Sequence, residues 1–100
     1  MRLYIAGPVS GIERLNRPAF ERAATRLEDA GYSVAVPHWF VPATADWQTA
    51  MRISIETLAK CDGVALLPGW RTSRGAKIEQ RLAVDLGMEA HAVRTWRVEK

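Results

Sequence analysis

One hundred residues are enough for one domain and too few for two, so the chain is read as a single domain over residues 1–100. With 48% hydrophobic and 25% charged residues its balance is globular, which excludes a disordered or low-complexity chain, and its lone cysteine, Cys61, excludes an internal disulfide. The formal charge of +3 is scattered, without the basic stripe that a nucleic-acid polymer requires, and no apolar run approaches the ~20 residues of a membrane span.

Leu3–Gly7 is a short apolar run that stops at Gly7-Pro8, and it predicts the first strand. Because Arg2 is followed by so brief an apolar stretch, no secretory signal is expected. Together with the lone cysteine this makes the cytoplasm the expected location. Gly7-Pro8-Val9-Ser10-Gly11 is either a plain turn or an amide cradle for a phosphate. It has neither the Walker spacing nor a GxGxxG fingerprint.

Asn16-Arg17-Pro18 suits a helix start, since proline is tolerated in the first turn. Ala19, Phe20, Ala23, Ala24, Leu27 and Ala30 then share one face, and Gly31 ends the helix. Tyr32–Val36 is the second strand, stopped by Pro37. A loop over 38–45 carries His38, Trp39, Phe40 and Pro42, and a second helix runs from about Asp46 to Lys60. Trp47, Met51, Ile55, Leu58 and Ala59 form its apolar face, with Ser54 at the edge, where a small hydroxyl often bonds back to its own helix.

Gly63–Leu67 is the third strand, Pro68–Arg74 a loop, and Gly75–Leu86 the third helix, ended by Gly87. On that helix Ile78, Leu82, Leu86 and Ala83 fill one arc, and Glu79, about 100° from Ile78, falls inside it. A carboxylate on a core-facing stripe is costly unless it is paired or meets a cavity. Ser73-Arg74-Gly75 at the helix start combines amides, a hydroxyl and a guanidinium at the positive dipole end, although Ser73 also reads as a simple N-cap. Ala90–Arg94 is a fourth strand.

Strands alternating with helices predict an α/β fold: three layers, Rossmann- or flavodoxin-like, with a parallel sheet of order 2-1-3-4, room for a fifth strand, and helices on both faces. Ligands bind such sheets at the switch point of strand order, here between the first and third strands. The expected pocket walls are therefore Gly7–Gly11 and Pro68–Arg74. Four tryptophans are many for a domain this small. Trp39 and Trp70 fall in loops at the expected ligand edge and either stack on a base or fill an oligomer interface. A thin core and surplus tryptophans point to a homodimer or larger homo-oligomer. His38 and His91 form no metal set with Cys61, so no metal and no cofactor are expected.

Tyr4-Ile5-Ala6-Gly7-Pro8-Val9-Ser10-Gly11, Asn16-Arg17-Pro18-Ala19-Phe20, the stretch from Cys61-Asp62-Gly63 to Pro68-Gly69-Trp70, and Ser73-Arg74-Gly75-Ala76 with Glu79 together resemble a family of small, largely phage and bacterial proteins of unassigned function. That family is similar to the nucleoside 2-deoxyribosyltransferases and the 2'-deoxynucleoside 5'-phosphate N-hydrolases. The resemblance implies cleavage or transfer at the N-glycosidic bond of a nucleoside or its 5'-monophosphate. It implies Glu79 as nucleophile and Ser73 in the 5'-phosphate site. Tyr4, Gly7, Pro8, Ser10, Gly11, Trp70, Arg74 and Gly75 then line the substrate site.

One departure stands out. The enzymes carry an aspartate eight residues before the one that opens the third strand, and it manages the proton of the leaving base. Here Asp62 opens the strand and Ser54 holds that position. Loss of a general acid typically costs ~10²–10⁴ in rate. Glu56 lies about 200° from Ser54 around the helix, and Asp46 stands at the helix start. Two readings therefore stand: a weak enzyme, or a nucleotide-binding protein without turnover.

Overall fold

The computed structural model describes residues 1–98. Its strands are β1 (Arg2–Ala6), β2 (Ser33–Ala35), β3 (Gly63–Leu66) and β4 (Glu89–Ala92); its helices are α1 (Arg17–Asp29), α2 (Trp47–Ala59) and α3 (Arg74–Asp85). All strand pairs are parallel and the order is β2-β1-β3-β4, the α/β arrangement expected from the sequence. Among the described residues the sheet has four strands, so the fifth that the sequence allowed is not part of it.

Alternation along β1 divides the core. Leu3 and Ile5 face α1 and pack with Phe20, Ala24, Leu27, Val34, Ala65 and Leu67. Tyr4 and Ala6 face the other way and pack with Ala35, Leu58, Val64, Leu66 and Ala83, beneath α2 and α3. Every residue of β1 from Leu3 to Ala6 is fully buried, as expected of a strand covered on both faces.

The last strand ends earlier than the sequence suggested. β4 pairs with β3 only as far as Leu66↔Ala92, after which Val93–Thr95 turns as a 3-10 segment. Val93 enters the α1-side core, and the Trp96 indole N–H donates to the carbonyls of Val64 and His91. The chain leaves the sheet because these side chains find apolar and hydrogen-bonding partners by turning back.

Between β1 and α1, Arg14, Leu15 and Asn16 all have positive φ (55°, 53° and 58°). Left-handed backbone is unfavourable for non-glycine residues, by about 1–2 kcal/mol each. Two side chains hold the segment: Asn16 Nδ2 donates to the Pro8 carbonyl at 2.9 Å, and His38 Nε2 to the Leu15 carbonyl at 2.7 Å. Asn16 precedes α1 but makes no capping bond, because its left-handed backbone departs from the extended geometry in which an N-cap oxygen meets the first helical amides. Among the described residues no helix is long and apolar enough to cross a membrane.

Candidate functional site

Beyond the carboxyl end of β1, on the side of the sheet that carries α2 and α3, lies a cavity of about 200 Å3. Gly7, Val9 and Ser10 form one wall, the 37–45 segment another, and Trp47, Met51 and Ser54 of α2 a third. Ser73, Gly75, Ala76 and Glu79, from the first turns of α3, close it.

Glu79 is 5% exposed and accepts a hydrogen bond of 2.6 Å from the Tyr4 hydroxyl. Burial disfavours its charged form and raises its pKa to about 7, with the Tyr4 hydroxyl pulling the other way. Tyr4 is pushed well above its usual value, first by burial and then by the Glu79 charge, so it remains a proton donor. Ser54, 6% exposed, lies beside the Tyr4 hydroxyl and acts to lower its pKa. A polar line, Ser54–Tyr4–Glu79, thus crosses the base of the cavity between α2, β1 and α3.

Near neutral pH this carboxyl group is divided between its protonated and ionised forms, held by a phenol and largely shielded from bulk water. A carboxylate freed from strong hydration is a competent nucleophile or general base. Among the described residues lining the cavity, Glu79 is the only carboxylate. Asp46 does not line it. Its carboxylate caps α2 by accepting from the Thr49 amide at 2.8 Å, which keeps its pKa low. Glu56 is exposed and pairs with Lys60 at 3.6 Å.

The α3 start matches its sequence in part. Ser73 Oγ caps the helix, accepting from the Ala76 amide at 3.2 Å, and the residue also lines the cavity. Arg74 is exposed and lies over the Trp47 ring, 4.1 Å from its centroid. Gly75 permits close packing of α2 on α3, since a Cβ there would stand 3.1 Å from Met51 Sδ. Gly7 is likewise explained by packing: a Cβ would come within 2.8 Å of the Leu67 side chain.

The expected pocket walls need correction. Of the loop after β3, only its end at Ser73 reaches the cavity, and the opposite wall comes from residues 37–45 and α2. Trp70 is not there. Gly69, at φ +87°, opens a 3-10 turn over Trp70–Thr72 that places the indole on a separate groove, under Arg71. Pro8 and Gly11 are also outside the lining; Pro8 serves through its carbonyl, and Gly11 is a left-handed turn residue in open space. Sequence reasoning missed Trp47, Met51 and His38 as cavity walls. The two helix residues carried only the signal of an apolar helix face. His38 Nδ1 is buried without a partner, while its Nε2 is engaged by Leu15.

A parallel sheet of this order, with a buried carboxylate one turn into the helix after β3, defines an α/β protein with a cavity at the switch point of strand order. The family model described as a domain of unknown function, DUF4406, matches residues 1–92, and the chain belongs to that family. No curated protein matches the sequence. Among solved structures, the chain is similar to a 2-deoxyribosyltransferase from the psychrotolerant bacterium Bacillus psychrosaccharolyticus, with TM-score 0.68 and 18% identity over 90% of this chain and 69% of that one. It is also similar to the Clostridium botulinum CMP N-glycosidase BcmB, with TM-score 0.62 and 19% identity over 90% of this chain and 66% of that one. At these identities the likeness is one of fold.

Proposed function

We propose that the cavity binds a nucleoside or its 5'-monophosphate and that Glu79 attacks the anomeric carbon to cleave or transfer at the N-glycosidic bond. The observation that carries this reading is the buried Tyr4–Glu79 pair at the base of the cavity. The shared fold with a deoxyribosyltransferase and a CMP N-glycosidase supports it. A carboxylate oxygen forms a bond to the sugar carbon, the carbon–nitrogen bond breaks, and its electron pair leaves with the base. Water or a second base then displaces the Glu79 ester. The volume of about 200 Å3 lies below the ~300–1,000 Å3 of typical ligand pockets, so the sugar occupies the enclosed part and base or phosphate extends outward. Ser73 and the α3 dipole favour the phosphate, with Arg74 beside them at the helix start. No metal or cofactor enters this mechanism.

The departing base needs a proton, and the lining offers Ser54 where a carboxylic acid would serve best. A serine hydroxyl does not act as an acid near neutrality, so turnover is slow. The same observation favours a second reading, a nucleotide-binding protein without turnover. Base release from a panel of deoxy- and ribonucleoside monophosphates, followed by chromatography, separates the two. Slow release by wild type and none by Glu79→Gln supports the enzyme. Nucleotide binding with no release by any variant supports the binder.

A further inference from the structure

A second concavity, a groove of about 790 Å3, lies beyond the carboxyl ends of β3 and β4 and shares no lining residue with the Glu79 cavity. Arg22 and Arg26 of α1, Arg71 of the turn after β3 and Arg94 of the turn after β4 line it, and among the described residues no Asp or Glu does. Among the described residues none of these four arginines is in an ion pair. Arg22 and Arg26 sit one helical turn apart, a spacing at which like charges repel. Three separate elements thus bring uncompensated positive charge to one concave surface, which nothing in the core of the fold requires. Trp70 lines the same groove, with the Arg71 guanidinium 4.8 Å from its ring centroid.

We propose that this groove is a binding site for a nucleotide-sized polyphosphate, an organic di- or triphosphate with a flat ring. A guanidinium recognises phosphate oxygens through a fork of N–H donors, and a single phosphate engages one or two such forks. Four arginines on three elements match two or more phosphate groups. The volume suits a ligand of that size, and the Trp70–Arg71 pair in its lining offers a flat indole–guanidinium surface against which a planar base packs. The proposal does not depend on the chemistry assigned to Glu79.

Calorimetric titration of the intact chain tests it, with adenosine triphosphate, inorganic triphosphate, adenosine monophosphate and a ten-nucleotide oligothymidylate as probes. Adenosine triphosphate and inorganic triphosphate are expected to bind, and the monophosphate at least tenfold more weakly at this site. Arg22→Gln/Arg26→Gln and, separately, Arg94→Gln should weaken triphosphate binding by tenfold or more. These side chains are exposed, so folding should survive, which circular dichroism verifies. Trp70→Phe should weaken adenosine triphosphate but not inorganic triphosphate. Glu79→Gln, remote from the groove, should leave the affinity for inorganic triphosphate unchanged. No triphosphate binding, binding indifferent to the arginine substitutions, or binding lost in Glu79→Gln overturns the proposal. So does an oligonucleotide that binds more tightly than adenosine triphosphate through the same arginines, which would make the groove a nucleic-acid track.

Discussion

Replacing Glu79 with glutamine should stabilise the protein, and by an amount that depends on pH. The side chain is almost fully buried and its pKa rises from 4.5 to about 7, chiefly through desolvation. A carboxyl group whose folded pKa exceeds its unfolded value holds its proton longer in the native state. Native stability therefore falls as pH rises from about 4.5 to about 7, and the full loss is present above that window. At about 1.4 kcal/mol per pH unit the shift corresponds to about 3 kcal/mol. Glutamine cannot ionise, yet its carbonyl oxygen still accepts from Tyr4, so the variant escapes the loss without opening a cavity. Chemical denaturation of wild type and Glu79→Gln at pH 4, 5, 6, 7 and 8 measures the difference directly, and titrations common to both proteins cancel. The two should be near parity at pH 4 and diverge by about 3 kcal/mol at pH 8, on the order of 10–20 °C in Tm for a domain of this size. Parallel stability profiles would show that Glu79 does not titrate anomalously and would remove the desolvation reasoning.

Base release, where detected, should rise with pH through an inflection near 7, because the proposed nucleophile is the ionised carboxylate. Tyr4→Phe removes the hydrogen bond that opposes the desolvation of Glu79, so the inflection should move to higher pH in a pH–rate profile. Ser54→Asp places a proton donor near the leaving base and should raise the release rate by ~10²-fold or more in a chromatographic assay. Gly7→Ala should destabilise the fold by about 1–3 kcal/mol in denaturant melts, since the added methyl meets Leu67 at 2.8 Å. Trp39 and Phe40, 54% and 42% exposed just outside the cavity, should lie in a contact between copies, so light scattering should report a dimer or larger at micromolar concentration and a smaller mass for Trp39→Ser.

The sheet order was legible because each element carried its own signal: short apolar runs closed by Gly or Pro, and helix faces with consistent periodicity. Glu79 stood out as a carboxylate beside apolar residues, and it is buried next to a cavity, but the arc itself was misplaced: the buried face of α3 is Ala76, Glu79 and Ala83, while Ile78 and Leu86 are exposed. Ser73 was legible as a cap, and it caps. The partners of Glu79 were less accessible. Tyr4 belongs to a strand buried on both faces, where hydrophobicity does not alternate and so does not reveal which side meets α3. Trp47 and Met51 line a cavity, but at helical spacing a cavity wall and a core stripe look alike. Trp70 went astray because the direction of its loop rests on the left-handed backbone of Gly69, a choice that composition does not encode. The arginine groove joins residues as far apart as 22 and 94, a separation over which scattered charge shows no pattern in the sequence.

The left-handed run at Arg14–Asn16 bears on how the molecule breathes. Its backbone conformation is uphill, and the two side-chain bonds to Pro8 and Leu15 that anchor it come from Asn16 and His38 rather than from the sheet. Opening of this stretch gives up those two bonds, together with the local backbone bonds from Leu15 N–H to Ile12 and from Arg17 N–H to Arg14, and relaxes three dihedral pairs, while β1 and α1 stay in place. Its free energy is therefore set locally and falls well short of that of global unfolding. In hydrogen-exchange terms, the amides of this stretch belong to a separate, faster class than those of β1 only a few residues earlier. Denaturant too dilute to touch the core would leave their exchange rates unchanged. Leu15 is both a member of this run and part of the wall around the Glu79 cavity, so local opening here would reshape one edge of the site.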